Sequence, residues 1–552
     1  MSTITAEGGK VAETTTRQEN TLGELRLRHE ETNDIILIPT PTDDPNDPLN
    51  WSKPYRVYLA VLVSFAIFFS NFLAAGPSVA LISITTDFFG PPGPDLSGNI
   101  AKVAYFFTST ALLQGMSNLM WMPLIAKFGR RPIYVVSFAL YTAFSAWAGG
   151  ATSYNSSLGA RIMMGFASGA AECLAPLTIS DLFFLHERGT IMAIYTTALS
   201  AGVGCGIIIA GLITKDLHWR YIYWVSVALI GSCTTLIIFA FPETRYNRAG
   251  NAEVPRTVTQ HKIMNQSSKA EDMDPEVFQA EVASTSQPSH RFPPKRTYWQ
   301  SLALFSGIHT QESILKLFFR PVILLTLPPV LWATLMMSVT IGFLVAITSN
   351  FAVAFNTLYG FEAWQSGLCF IACPLGAGIG AFFGGRFSDM VADWLTRRND
   401  GIRHPEMRLP AVSISLITAP LALVLYGVGI DKGLHWIVPT IGLGLLNFSI
   451  VQATNISLVY TIDGYRPVAG ELAVTQHAFK SAFGFLLSFY TNPWIAKSGY
   501  SNAFGAMAGI SGSVILMWIP MYIWGGRIRH ATWSWPFVKR LAHWHQDREV
   551  GE

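Results

Sequence analysis

The sequence predicts an all-α membrane protein: twelve transmembrane helices in two pseudo-symmetric six-helix bundles. Three observations predict it. Six apolar runs of roughly 20 residues, the length that crosses a bilayer, fall within 57–241, and six more fall within 321–526. Between them, 242–320 is polar, rich in Pro, Ser, Glu and Lys, and has no run long enough to span. Half of the 552 residues are apolar and only 13% are charged, against about 25% in a soluble domain; the mean hydropathy is +0.35. The expected division is a tail (1–56), a first bundle (57–241), a central loop (242–320), a second bundle (321–526) and a closing tail (527–552).

Several function classes fall away on composition. A net charge of +3, spread over loops, does not suit a nucleic-acid partner. There is no GxxxxGK[ST] phosphate loop, so ATP drive is not expected, and no nucleophile–base constellation, so no enzyme is expected. GVGCG at 202–206 and GAGIG at 376–380 sit inside apolar runs with the wrong spacing for a dinucleotide loop. The five cysteines all fall inside predicted spans and read as reduced packing residues, so neither a metal nor a cofactor is expected. Residues 1–50 lack a basic-then-apolar start, which leaves targeting to the first span. Basic residues such as Arg130, Arg131, Arg188, Arg397, Arg408 and Arg527 gather on one side, which puts both termini in the cytoplasm.

Taken in order, residues 1–34 are polar and read as disordered. The prolines and aspartates of 35–56 enforce turns. Span 1 (about 57–82) carries Asn71 near its middle. Span 2 (about 101–125) gathers Thr110, Gln114, Ser117, Asn118 and Trp121 within about 100° of arc, a stripe that belongs on a cavity or another helix rather than on lipid. Span 3 is about 132–150, and Asn155-Ser156-Ser157 after it is a candidate glycosylation sequon. In span 4 (about 158–184), Arg161 and Glu172 lie about 20° apart around the helix and about 16 Å apart along it. Charges inside an apolar span cost several kcal/mol each unless they meet water or a partner, so both are candidates for function, Glu172 as a proton-exchanging carboxyl. Asp181 lies near the inner end. Spans 5 and 6 are about 190–213 and 219–241. Within the central loop, 249–296 reads as disordered and 297–319 as an amphipathic helix on the inner leaflet. Spans 7 to 9 are about 321–349, 363–388 and 409–429. Span 10 (about 436–461) carries Asn447, Gln452 and Asn455. Span 11 (about 471–495) carries His477 and Lys480, the latter the main charge inside an apolar run of this half. Span 12 is about 501–525.

Specific stretches carry a resemblance. DPNDPLNWS (44–52) resembles the lead-in of fungal major facilitator superfamily transporters. In AKFGRRP (126–132), Lys127, Gly129, Arg130 and Arg131 match that family's loop after span 2, while Ala126 replaces its acid and Met122 its earlier Gly. GRFSDMVADWLTRRN (385–399) repeats the loop in the second half, with Asp389 keeping the acid. Arg161, Gly165 and Gly169 match the fourth-span pattern, in which the Arg is linked to proton coupling. In span 5, Gly202, Gly206 and Gly211 fit the antiporter pattern, but Ile207 and Ala210 stand where its Pro and a further Gly would be. FPETR at 241–245 is similar to the inner end of the family's sixth span. The resemblance covers about 43–529 and implies a twelve-span drug:proton antiporter type working by alternating access. It links Arg161 to proton coupling. Their place inside apolar spans makes Glu172 and Lys480 candidates for the same role, Lys480 alternatively receiving an anionic substrate group, pairing with an acid or snorkelling. It likewise makes Asn71, Gln114, Asn118, Asn447, Gln452, Asn455 and His477 the candidate polar lining of the cavity. The resemblance also implies a conformational latch of Lys127, Gly129, Arg130, Arg131 and Asp389, with Asp181 able to supply the missing acid. The expected activity is proton-coupled export of a small amphipathic organic molecule by a plasma-membrane monomer. Its expected partners are that small-molecule substrate, protons and the lipid bilayer. Proton-coupled uptake of a small cationic or polar nutrient, and sensing without transport, are the alternatives.

Overall fold

Proline and glycine set where these helices start, bend and stop. A computed structural model describes residues 25–26, 41–42, 44–91, 93, 96–246, 294–305, 307–399 and 401–542. Most of the stretches expected to be disordered, 1–34 and 249–296, lie outside the described residues, although Leu25–Arg26 pairs antiparallel with Ile402–Arg403.

Span 1 is Lys53–Ala75, continued through a tight turn at Gly76–Ala80 into Leu81–Phe89. Span 2 is Leu96–Met116 and Asn118–Phe128, bent at Ser117. Arg131–Gly150, Tyr154–Leu182, Leu185–Asp216 and Tyr221–Ala240 are spans 3 to 6. Span 7, Pro328–Thr348, begins later than expected. Pro321 belongs instead to a preceding helix, Ile314–Leu324, and Pro328 occupies a first-turn position where its missing N–H costs nothing. Span 8 runs Ala363–Cys369, Ala372–Phe382, a π turn at Phe383–Phe387, and Ser388–Arg398. Pro405–Val412 leads into Ser413–Asp431 as span 9, and Ile437–Gly464 is span 10. The helical trace Ala469–Leu516 is two spans, 11 and 12, divided at Gly499, whose φ of 77° is open to glycine at little cost. Trp518–Trp533 extends span 12, and Pro536–Ala542 closes the described chain.

The single amphipathic helix expected over 297–319 is not formed. A one-turn helix, Tyr298–Ser301, is followed by irregular chain with Gly307 at φ 106°. That chain's backbone is engaged elsewhere: the Leu302 carbonyl accepts from Arg131 Nε at 3.1 Å, and the His309 N–H donates to the Lys127 carbonyl at 3.0 Å.

Packing repeats six spans apart. Span 1 lies on 5, 2 on 4 and 3 on 6; likewise 7 lies on 11 and 8 on 10, and 9 packs against the 11–12 unit. Glycine makes the tightest of these contacts. A Cβ on Gly169 would strike the Gln114 carbonyl of span 2, and one on Gly376 would strike the Gly444 carbonyl of span 10. In the absence of a hydrophobic drive between helices in lipid, such close approach is what holds them together. The seam between halves is made by span 2 on span 11 and by span 5 on spans 8 and 10.

Gly169→Leu is expected to lower the melting temperature of the detergent-solubilised chain, because overpacking costs about 1–3 kcal/mol or more. Gly505→Leu, whose Cβ position is open, should leave it unchanged. Equal melting temperatures for the two variants would contradict the packing described.

Candidate functional site

Glu172 stands at the seam. It is buried, and its carboxylate meets both halves. Oε1 accepts from Lys480 Nζ of span 11 at 3.1 Å and from Gln114 Nε2 of span 2 at 3.4 Å. Oε2 accepts from Asn118 Nδ2 at 3.5 Å and faces His477 Nδ1 at 3.5 Å. His477 Nε2 lies 3.2 Å from the Tyr195 hydroxyl of span 5. Gln114 Nε2 also reaches Asn71 Oδ1 at 3.2 Å. The local sequence explains part of this. Pro176 has no N–H, so the carbonyl four residues earlier, that of Glu172, has no helical donor. The Tyr195 hydroxyl donates to it at 3.3 Å.

Beside the pair lies a cavity of about 740 Å³ of empty space, part of it open. Asn71, Gln114, Glu172, Ser200 and Lys480 supply its polar edge; Phe107, Leu199, Val203, Ile341, Leu344 and Ile450 make it mostly apolar. Of the expected cavity residues, Asn71 and Gln114 line it, and Asn118 and His477 attend the carboxylate. Asn447, Gln452 and Asn455 are spent on helix contacts. Asn447 Oδ1 accepts from Ser200 Oγ at 2.7 Å, Gln452 Nε2 donates to the Ala411 carbonyl at 3.0 Å, and Asn455 Nδ2 donates to the Gly384 carbonyl at 2.7 Å.

Arg161 sits apart from Glu172, although both share one face of span 4. Its guanidinium donates to the carbonyls of Phe106 (3.1 Å), Leu73 (2.8 Å) and Ala74 (2.9 Å). Leu73 is four residues before Pro77, so its carbonyl is another acceptor that proline has freed. Arg161 thus holds the bend of span 1, and it is not among the residues lining the cavity.

The basic end carries the loop residues. Arg130 Nε and Nη2 donate to Asp181 Oδ2 and Oδ1 at 3.0 and 3.3 Å, a bidentate pair between the start of span 3 and the end of span 4. Gly129, at φ 97°, ends span 2 with its Cα beside the Glu243 carboxylate, where no Cβ fits. Glu243 accepts from the backbone N–H groups of Arg130 (3.0 Å) and Arg131 (3.1 Å), capping span 3. Arg131 in turn donates to the carbonyls of Ile238 (2.8 Å) and Phe241 at the end of span 6. Lys127 contributes its carbonyl to His309, as above. In the second half Asp389 lies 3.4 Å from Arg403 and 3.7 Å from Arg408, and rests against Gly189 of span 5 across the seam. Arg408 donates to Asp463 at 2.9 Å, at the end of span 10. This pair occupies the place that Arg130–Asp181 holds in the first half. The Asn155 sequon forms the first turn of span 4, with Ser157 buried.

A model of the Major Facilitator Superfamily matches residues 60–469. The chain belongs to that superfamily. It is a multi-pass secondary transporter and not an enzyme. It is 27% identical to an uncharacterized MFS-type transporter of Schizosaccharomyces pombe, over 90% of this chain and 89% of that one. It is 24% identical to the efflux pump radE of Floropilus chiversii, over 88% and 83%. In structure it is similar to the proton:xylose symporter XylE of E. coli, with a TM-score of 0.55 and 13% identity over 86% of this chain and 97% of that one. That likeness speaks to the fold alone.

Sequence reasoning passed over several residues of this transporter's site. Tyr195 and Glu243 were invisible as partners, although Pro176 and the PET stretch marked the backbone groups they serve. Arg408 counts in the sequence only among the basic residues of one side, and Asp463, just past span 10, carries no signal of its own.

Arg130→Ala and Asp181→Asn are each expected to slow transport without altering substrate preference. The double variant should be no slower than the worse single, because the two act as one unit. Initial rates of all three in proteoliposomes check this; additive losses would separate the two residues.

Proposed function

We propose that this chain exports a small amphipathic organic molecule, such as a secondary metabolite or toxicant, across the plasma membrane in exchange for protons. The observation that carries the reading is the Glu172–Lys480 pair, one member on span 4 and one on span 11, at the edge of a mostly apolar cavity. Breaking a buried pair by removing one partner costs about 3–5 kcal/mol, since the other charge is left without compensation. A proton arriving at Glu172 removes that cost on one side. The making and breaking of a bond between the halves then follows the protonation of Glu172. Arg161 supports coupling indirectly, by fixing the bend of span 1 above Asn71.

The apolar lining suits a greasy substrate, and a relative bearing the name of an efflux pump supports the outward direction. A second reading is proton-coupled uptake of a small cationic solute. Glu172 is the acid at the cavity edge, and Ile207 and Ala210 break the antiport pattern. The gathering of basic loops on one side supports cytoplasmic termini.

Comparison of small-molecule contents between cells lacking and overproducing the protein, with and without a protonophore, decides the direction. A compound depleted inside in a gradient-dependent way establishes export; one enriched inside establishes uptake. Glu172→Gln is expected to abolish gradient-driven transport while the protein still reaches the membrane and still exchanges substrate without a gradient. Full gradient-driven activity in that variant would remove Glu172 from coupling.

A further inference from the structure

The strongest unassigned feature is a buried arginine where three separate parts of the chain meet. Arg320 has no exposed surface. Its Nη1 pairs with Glu471 Oε1, in the first turn of span 11, at 3.0 Å. Its Nε donates to the Leu541 carbonyl in the closing helix Pro536–Ala542 at 3.3 Å, and Nη2 lies 3.9 Å from Glu312. One turn further into span 11, the Thr475 hydroxyl donates to the Pro321 carbonyl at 2.9 Å. Leu324, Val468, Leu472, Val538 and Ala542 seal this junction with a small apolar core. Span 11 is therefore held at its basic end by Ile314–Leu324, and it is the span that carries His477 and Lys480.

The same segment is tied to the other half a few residues earlier. The His309 N–H donates to the Lys127 carbonyl at 3.0 Å, Leu302 accepts from Arg131, and the Phe305 ring packs on Phe128 with centroids 6.2 Å apart. Between these anchors the chain crosses the seam, beside Gly470, whose Cα faces Leu177 and Met122 of the first half. Opening the basic end must part spans 2 and 4 from span 11. It must also stretch or release the segment from 307 to 320, between the His309 tie and Arg320. His309 is partly buried, and burial together with Arg245, Arg130 and Arg296 pushes its imidazole down to about 4. It is neutral at working pH, and its tie to Lys127 is a backbone one.

We propose that Arg320 is a positioning residue for transport: it anchors the 307–320 segment to span 11 as a brace that holds the basic end closed. The inference rests on alternating opening of the two ends, not on the substrate or on the direction of transport. When the brace is weakened the population shifts toward an open basic end, and the opposite end closes to match.

The test uses the full chain in lipid nanodiscs, with labelling by a membrane-impermeant maleimide. One reporter is Ser180→Cys, in the crevice at the basic end beside Asp181, Arg188 and Gly470. The other is Thr348→Cys, on the cavity side. Background from the five native cysteines is measured in the parent. Arg320→Gln is expected to raise Ser180→Cys labelling roughly fivefold or more and to lower labelling at Thr348→Cys. His309→Pro removes the amide donor to Lys127 together with the imidazole and some backbone freedom, and should act in the same direction, whereas His309→Ala, which keeps the amide donor, should not. This pair of variants decides the matter if Arg320→Gln fails to fold. Unchanged labelling at both reporters would overturn the proposal. So would a rise at both, which marks general loosening rather than a lost brace.

Discussion

The buried pair of Glu172 and Lys480 is the interaction on which the rest of this structure turns. Neither charge is tolerable alone in hydrocarbon, and neither belongs to the same half as the other. Their 3.1 Å contact therefore neutralises two costs at once and joins the two halves across the seam. Gln114 and Asn118 approach the same carboxylate from span 2. The close packing of span 2 on span 4, permitted by Gly165 and Gly169, is what brings them within reach.

A second constraint acts on the backbone. In a bilayer every carbonyl must find a donor within the protein, and each proline inside a span leaves one open. Pro77 opens Leu73, and Arg161 closes it; Pro176 opens Glu172, and Tyr195 closes it. These two bends lie in the helices that carry Asn71 and Glu172. Both helices contribute side chains to the cavity edge. Span 8 is irregular as well, through its π turn at Phe383–Phe387.

Charge at the basic end follows a different logic. Arg130–Asp181 and Arg408–Asp463 hold corresponding positions in the two halves, each joining the start of one span to the end of the next. Glu243 and Arg131 cap opposite helix ends reciprocally, where partial charges on open N–H and carbonyl groups attract them. These pairs are mostly buried, so the Coulombic term is not screened away as it would be on a surface.

Much of this was legible in the chain itself. The twelve apolar runs, the polar centre and the glycine spacing follow from local composition, because lipid demands long uninterrupted apolar helices and leaves only close packing to join them. That Glu172, Lys480 and Arg161 are special was also legible, since a charge in an apolar run is expensive wherever it points. Partnership was not. Arg161 and Glu172 share a helical face, yet one turns to the bend of span 1 and the other to span 11. Asn447, Gln452 and Asn455 are as polar as Asn71 and Gln114, yet only the latter two reach the cavity. The run 297–319 has an amphipathic composition, but the loop after span 2 takes its backbone and breaks the helix. The sequence determined which groups could not be left alone in the membrane. Tertiary structure decided which partner each one met, because a hydrogen bond or ion pair depends on distances of a few ångströms between residues up to 308 positions apart, and local periodicity carries no information on that scale.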